Sequence, residues 1–72
     1  MEYPRIRQIR EERDLKQKEI AKVLHISQRT YSGYETGIRN IPVQAVVKLA
    51  AYYELSVDYL LGLTNVKNPY PR

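Results

Sequence analysis

Two short amphipathic helical patterns are separated by only about three residues, and this spacing constrains the fold more than any other feature of the chain. The first pattern spans residues 17–24 and the second spans residues 28–35. A connection this short forces the two helices to meet at a sharp angle. The crossing requires a small residue, which Ala21 provides, and apolar residues on both helices. The apolar residues are Ile20, Leu24, Ile26, Tyr31 and Tyr34.

Proline, serine and glycine residues mark the ends of further helices. Pro4 and Pro42 suit the first turn of a helix, Ser56 is a good N-cap, and Gly37 and Gly62 are suitable helix stops. No segment has the alternating pattern of a strand. The sequence therefore predicts an all-α fold, a compact five-helix bundle, with helices over residues 4–13, 17–24, 28–35, 42–54 and 57–61.

The length of 72 residues allows one small domain. We assign residues 1–63 to this domain. Residues 64–72 contain two prolines and no periodicity, so we assign them to a C-terminal tail. Because the chain has seven tyrosines but no Phe or Trp, we expect several tyrosines at the rim of the core, where their hydroxyls reach water or a partner.

Composition excludes several classes of function. Twelve Lys and Arg against eight Asp and Glu give a formal charge of +4, which favours a polyanionic partner without requiring one. With no cysteine and one histidine, we expect no disulfide, metal site or cofactor. No apolar run approaches the roughly 18 residues of a membrane span, so we expect a cytoplasmic protein without a membrane partner. No catalytic constellation or small-molecule site is evident, so we expect no enzyme.

The helix predicted over residues 28–35 has an outward face that can read nucleic acid. Gln28, Arg29, Ser32 and Gly33 lie opposite the inward tyrosines. Arginine can contact guanine and glutamine can contact adenine, each good pair giving about 1–3 kcal/mol of base discrimination. An ordinary solvated face is the alternative. Gly33 costs about 1 kcal/mol relative to alanine, and either close approach to DNA or an unread position explains it.

The segment over residues 5–62 resembles the XRE family of helix-turn-helix proteins, which includes phage repressors and Cro. The motifs that carry the resemblance are KQKEIA, ISQRTYSGYETG and LSVDYLLG. The resemblance implies five helices with the third in the DNA major groove. It also implies sequence-specific binding of double-stranded DNA by a homodimer on a near-palindromic operator, with repression favoured. A protein–protein adaptor with the same fold is the alternative, and it predicts weak, sequence-insensitive DNA binding.

The resemblance also assigns roles outside the third helix. Gln17 matches a family position that binds a backbone phosphate, and Lys18 is close enough to help, although both also suit a polar helix start. Arg39 and Asn40 match a loop that grips a second flank of phosphates; solvated loop residues are the alternative. Thr30 either caps the helix or touches a phosphate.

A further family match is structural. Arg10 and Glu35 correspond to an ion pair that bridges the first and third helices, and breaking such a pair when it is buried costs about 3–5 kcal/mol. His25 stands where the family usually has glycine, and histidine is enriched among residues with positive φ. We therefore expect His25 to adopt a left-handed conformation.

The fifth helix and the segment after it often form the family's two-fold contact. The apolar residues in this region exceed what the fourth helix can cover, so we expect them to divide between the core and a dimer patch, with complete burial in the core as the alternative. Dimerisation would place two recognition helices about 34 Å apart, one turn of DNA. The residues concerned are Val57, Leu60, Leu61 and Leu63.

Overall fold

The structure is a computed structural model that describes residues 3–67. It contains five helices and, over these residues, no strand, which confirms the predicted fold class. Predicted helix ends differ from the observed ones by at most one residue. The helices are α1 (Pro4–Glu12), α2 (Gln17–Val23), α3 (Gln28–Thr36), α4 (Val43–Tyr53) and α5 (Val57–Leu60).

The core forms where one apolar face of each helix meets the others. Aliphatic side chains dominate it, and α2 packs mainly against α3. Ala21 is buried at this crossing, as its small side chain predicts. The core residues are Ile6, Ile9, Ile20, Ala21, Leu24, Tyr31, Leu49, Ala50, Tyr53, Leu55 and Leu60.

The tyrosines divide between the rim and the centre of this core. Tyr3, Tyr34 and Tyr59 are partly buried against it, as expected. Tyr31 and Tyr53 are instead fully buried, and their hydroxyls make no hydrogen bond within residues 3–67. Burial raises the pKa of Tyr53 to about 12. The central positions need aromatic volume, and a chain without Phe or Trp can supply it only with tyrosine.

The turn between α2 and α3 is set by His25, which has a φ of 57°. This conformation allows the N–H of Ile26 to donate to the carbonyl of Ala21 at 3.0 Å, satisfying an acceptor at the end of α2. The expected left-handed histidine is therefore confirmed. Asp14 and Glu54 have the same φ after α1 and α4, so three of the helix ends use a residue other than glycine.

Residues 64–67 pack on the domain. The Arg5 guanidinium donates to Asn65 Oδ1 at 2.7 Å, and the N–H of Ser56 donates to the carbonyl of Lys67 at 2.8 Å. The first four residues of the predicted tail therefore contact the domain. Polar partners hold the segment, and such pairing has no periodic signal in the sequence. The rest of the predicted tail, residues 68–72, lies outside the described residues.

Between residues 3 and 67, no helix is long and apolar enough to cross a membrane. Over the same residues, no group of histidine and acidic side chains is placed to hold a metal ion.

Candidate nucleic-acid interface

A side-chain cap fixes the first turn of α3. Ser27 Oγ accepts a hydrogen bond from the N–H of Thr30 at 3.1 Å, and the Ser27 hydroxyl donates to Thr30 Oγ1 at 2.9 Å. The cap satisfies one of the amides that have no partner inside the helix. Thr30 thus takes part in the cap, while Gln28 and Arg29 remain exposed on the same turn.

An open cavity of about 630 Å³ lies along the outer side of α3. Gln28, Arg29 and Ser32 of α3 line it, together with Gln17 at the start of α2 and Arg39 in the loop after α3. With Gly33, which also lines the cavity, the structure brings six of the predicted contact residues to one concave surface, although they come from three segments. This surface carries two guanidinium groups and two amides, which can donate hydrogen bonds to base edges and phosphates.

Gly33 lies beneath Arg39 and is buried. The N–H of Arg39 donates to the Gly33 carbonyl at 3.1 Å. A Cβ atom added at Gly33 would lie 2.9 Å from Arg39 Cδ. Gly33 lies on the predicted face, since it lines the cavity, but the prediction that it is exposed is wrong. The chain turns at Gly37, with a φ of 82°, and returns over this position.

Glu35 joins three segments through its carboxylate. Arg10 Nε donates to Glu35 Oε2 at 2.6 Å and Arg10 Nη2 donates to Oε1 at 3.1 Å, which is the predicted ion pair in bidentate form. Gln17 Nε2 donates to Oε1 at 3.0 Å. Because a carboxylate can only accept, this contact orients the Gln17 amide and leaves its second N–H for another acceptor.

The charge state of this network follows from its hydrogen bonds. Burial alone would raise the pKa of Glu35, but donation from Arg10 and Gln17 outweighs burial and lowers it. The hydrogen bond to Glu35 raises the pKa of Arg10. Burial raises the pKa of Tyr31, and so does Glu35. Because the Tyr31 hydroxyl makes no hydrogen bond of normal geometry, we attribute the effect of Glu35 to its charge.

The remaining polar candidates are not part of the cavity lining. Lys18 and Asn40 are exposed, but neither lines the cavity. Two lining residues, Thr36 and Ile38, were missed by the sequence interpretation. Thr36 could have been found, since it follows Ser32 by one helical turn. Ile38 is 84% exposed in the loop after the helix, and no periodicity identifies such a residue.

The four predicted dimer residues occupy different environments. Leu60 is 0% exposed, so its assignment to a dimer patch is wrong: it packs inward and is part of the core. Val57 and Leu61 are partly buried, whereas Leu63 is 73% exposed. Of the four predicted dimer residues, only Val57, Leu61 and Leu63 therefore leave apolar surface accessible.

Comparison with known proteins identifies the family to which the fold belongs. The family model described as helix-turn-helix matches residues 6–60. The chain is 38% identical over 65 residues to the uncharacterized HTH-type transcriptional regulator YobD of Bacillus subtilis, covering 90% of this chain and 58% of that protein. It is 37% identical over 58 residues to the cryptic phage CTXphi transcriptional repressor RstR of Vibrio cholerae, covering 81% and 52%.

A solved structure gives the same comparison in three dimensions. The crystal structure of a transcriptional regulator from Listeria innocua superposes with a TM-score of 0.78 at 30% sequence identity, covering 85% of this chain and 57% of that one. The chain thus spans between half and six-tenths of the length of these relatives.

Proposed function

This chain belongs to the helix-turn-helix family of transcriptional regulators, of the XRE type, and from that premise we propose that α3 enters the major groove of a specific double-stranded DNA site to repress transcription. One observation carries the proposal: side chains able to read bases and side chains able to hold phosphates line the same cavity. The name of the phage repressor among the similar proteins supports repression.

The reading residues are those at the start of α3 and one turn later. Arg29 can donate both guanidinium arms to O6 and N7 of guanine, and the Gln28 amide can pair with N6 and N7 of adenine. Ser32 can donate or accept, so it suits either kind of base edge. The Ser27 cap supports this role because it holds the first turn in place.

The positioning residues surround this face. Arg39 is a cation at the edge of the cavity, and Gln17 has an amide N–H that its contact with Glu35 leaves available. We assign both to DNA phosphates, with Lys18, Asn40 and Thr30 as further candidates. Phosphate contacts fix the register of the protein on the duplex, and base contacts then supply the sequence preference.

The proposed binding unit is a homodimer on a near-palindromic operator. Leu63 exposes apolar surface, with Val57 and Leu61 on the neighbouring α5 segment, and a second copy of this chain would cover it. A two-fold arrangement places the recognition helices about 34 Å apart, so the half-sites are one turn of DNA apart.

In vitro selection from a random double-stranded DNA pool tests the proposal. We expect enrichment of one site with two-fold symmetry. The logarithm of the affinity for that site should fall with the logarithm of the salt concentration by about 0.9 per phosphate contact. Weak binding without enrichment of any sequence would contradict the proposal and favour the adaptor alternative.

The variant Arg29→Ala tests the reading face. We expect it to relax the preference at one base pair per half-site and to weaken binding of the selected site by about 1–3 kcal/mol. Lys48→Ala removes the same charge from α4, outside the cavity, and should leave the preference intact. If Arg29→Ala preferred the same DNA site as the wild type and bound it with the same affinity, the recognition-helix assignment would be wrong.

The variant Gln17→Ala tests the phosphate assignment. We expect it to weaken binding to all sequences alike, because a phosphate contact carries no base information. The substitution also removes the hydrogen bond to Glu35, so its unfolding must be measured in parallel. A loss confined to one sequence would contradict the assignment.

A further inference from the structure

We propose that Gly33 is a positioning residue for Arg39: the absence of a side chain at Gly33 allows the Arg39 side chain to lie across α3 and hold its guanidinium at the DNA-facing cavity. The inference rests on the proposed function and goes beyond it, because it assigns a role to a position in α3 that has no side chain to read a base and lies under Arg39.

The packing of these two residues leaves no room for a methyl group. A Cβ at Gly33 would lie 2.9 Å from Arg39 Cδ and 3.0 Å from Arg39 Cγ, well inside the 3.5–4.0 Å optimum for two carbon atoms. The clash involves methylenes of a flexible side chain. Alanine at this position therefore displaces the Arg39 side chain and leaves the backbone of α3 in place.

Backbone contacts anchor the loop that carries Arg39. Its N–H donates to the Gly33 carbonyl at 3.1 Å, and Gly37 turns the chain with a φ of 82°. The Arg39 backbone is thus fixed over α3, and the space above Gly33 decides where its side chain goes. The result is an Arg39 side chain that lies over Gly33 and lines the cavity together with Gln28 and Arg29.

The position gains nothing else from glycine. Gly33 lies within the helix and is absent from the residues of positive φ, and alanine is the better helix former there. Room for DNA itself is a different explanation. DNA could reach Gly33 only after Arg39 had moved away, so the two explanations make different predictions.

A double-mutant cycle on the selected DNA site separates them. We expect Arg39→Ala to weaken binding about tenfold, as for one charge-assisted hydrogen bond, and to lower the salt slope by about 0.9, as for one phosphate. Gly33→Ala should reduce affinity and salt slope in the same direction. In the Arg39→Ala background, Gly33→Ala should cause no further loss, because the nearest remaining atom, Cβ of residue 39, lies 3.4 Å away.

If Gly33→Ala reduced DNA affinity equally in the wild type and in the Arg39→Ala background, the inference would be overturned, because DNA and not Arg39 would then need the space above Gly33. Unchanged binding by the single variant would also overturn it. Lys48→Ala controls for the loss of a positive charge and should retain most of the affinity. The melting temperature of Gly33→Ala should not fall, since alanine favours the helix.

A measurement without DNA keeps this inference distinct from the proposed function. Relaxation of the Arg39 Nε–H group by NMR should show greater mobility in Gly33→Ala than in the wild type. Identical mobility would overturn the packing argument by itself. A different outcome is that Arg39 shows the expected difference in mobility but the wild type binds no DNA. That outcome would overturn the proposed function and, with it, the role assigned to Arg39.

Discussion

At the residue scale, Glu35 does more than its sequence position indicates. The side chains of Glu35 and Arg10 are only 2% and 11% exposed, and the same carboxylate accepts from Gln17. One acidic group thus connects α1, the start of α2 and the recognition helix. A change at Glu35 should therefore affect both the stability of the fold and the placement of the Gln17 amide, which we have proposed as a phosphate contact.

Stability should depend on pH through this carboxylate. Because the folded state lowers the pKa of Glu35 below its ordinary value of 4.5, its stabilising contribution is present above that value and is lost as the pH falls through it toward the folded pKa. We expect Glu35→Gln to lower the free energy of unfolding at pH 7 by about 3 kcal/mol, since Arg10 loses its partner. Denaturation at pH 7 and pH 3 measures both effects.

An exposed ion pair provides the matched control. Glu11 lies 3.5 Å from Arg7 on the surface of α1, and exposed pairs contribute about 0–1 kcal/mol. Glu11→Gln should therefore leave the free energy of unfolding nearly unchanged. Two results would contradict the assigned strength of the network. One is a free energy of unfolding for Glu35→Gln at pH 7 as close to that of the wild type as that of Glu11→Gln. The other is an equal loss of unfolding free energy between pH 7 and pH 3 for Glu35→Gln and the wild type.

At the element scale, α3 is a short helix whose position depends on its ends and on one buried ring. Ser27 caps its start, Tyr31 is fully buried in the core, and Gly37 ends it in a left-handed conformation. Nine residues are too few for a stable helix in isolation. The cap and the packing together must therefore hold the reading face in place.

Removing the cap should weaken both folding and DNA binding. We expect Ser27→Ala to cost about 1 kcal/mol of stability and to fray the turn that carries Gln28 and Arg29. Thermal unfolding and affinity for the selected site measure the two effects. Ser27→Thr keeps a hydroxyl and should lie close to the wild type. Equal affinity for the alanine variant and the wild type would show that the cap does not order the reading face.

At the scale of the whole molecule, the proposed homodimer predicts that a second copy of the chain covers the apolar surface next to α5. Leu63 leaves apolar surface accessible after folding, whereas Leu60 does not. The two leucines are three residues apart, so a comparison of their variants separates assembly from folding.

The variant Leu63→Asp should prevent two copies of the chain from binding the two half-sites together. We expect the folded protein to bind a half-site with wild-type affinity but to lose the added affinity of a full palindrome, because a charge opposes burial against a second copy. Titration of both DNA lengths provides the measurement. Leu60→Ala should instead cost about 2–5 kcal/mol of folding stability. Wild-type affinity of Leu63→Asp for the palindrome would place the contact elsewhere.

The sequence by itself determined the five helices, the sharp turn at His25 and the polar face of α3. Each of these has a local cause: periodicity of apolar residues, a cap or stop residue, or a residue tolerant of positive φ. The resemblance to a known family added the pair of Arg10 and Glu35, which lie 25 residues apart and have no local signal.

Only the tertiary structure decided which neighbours those residues meet. It buried Gly33 under Arg39, placed Leu60 in the core, and held residues 64–67 against Arg5 and Ser56. The reason is physical: helical periodicity fixes the direction of a side chain relative to its own helix axis. What covers that side chain depends on a loop or helix distant in sequence, which periodicity does not specify.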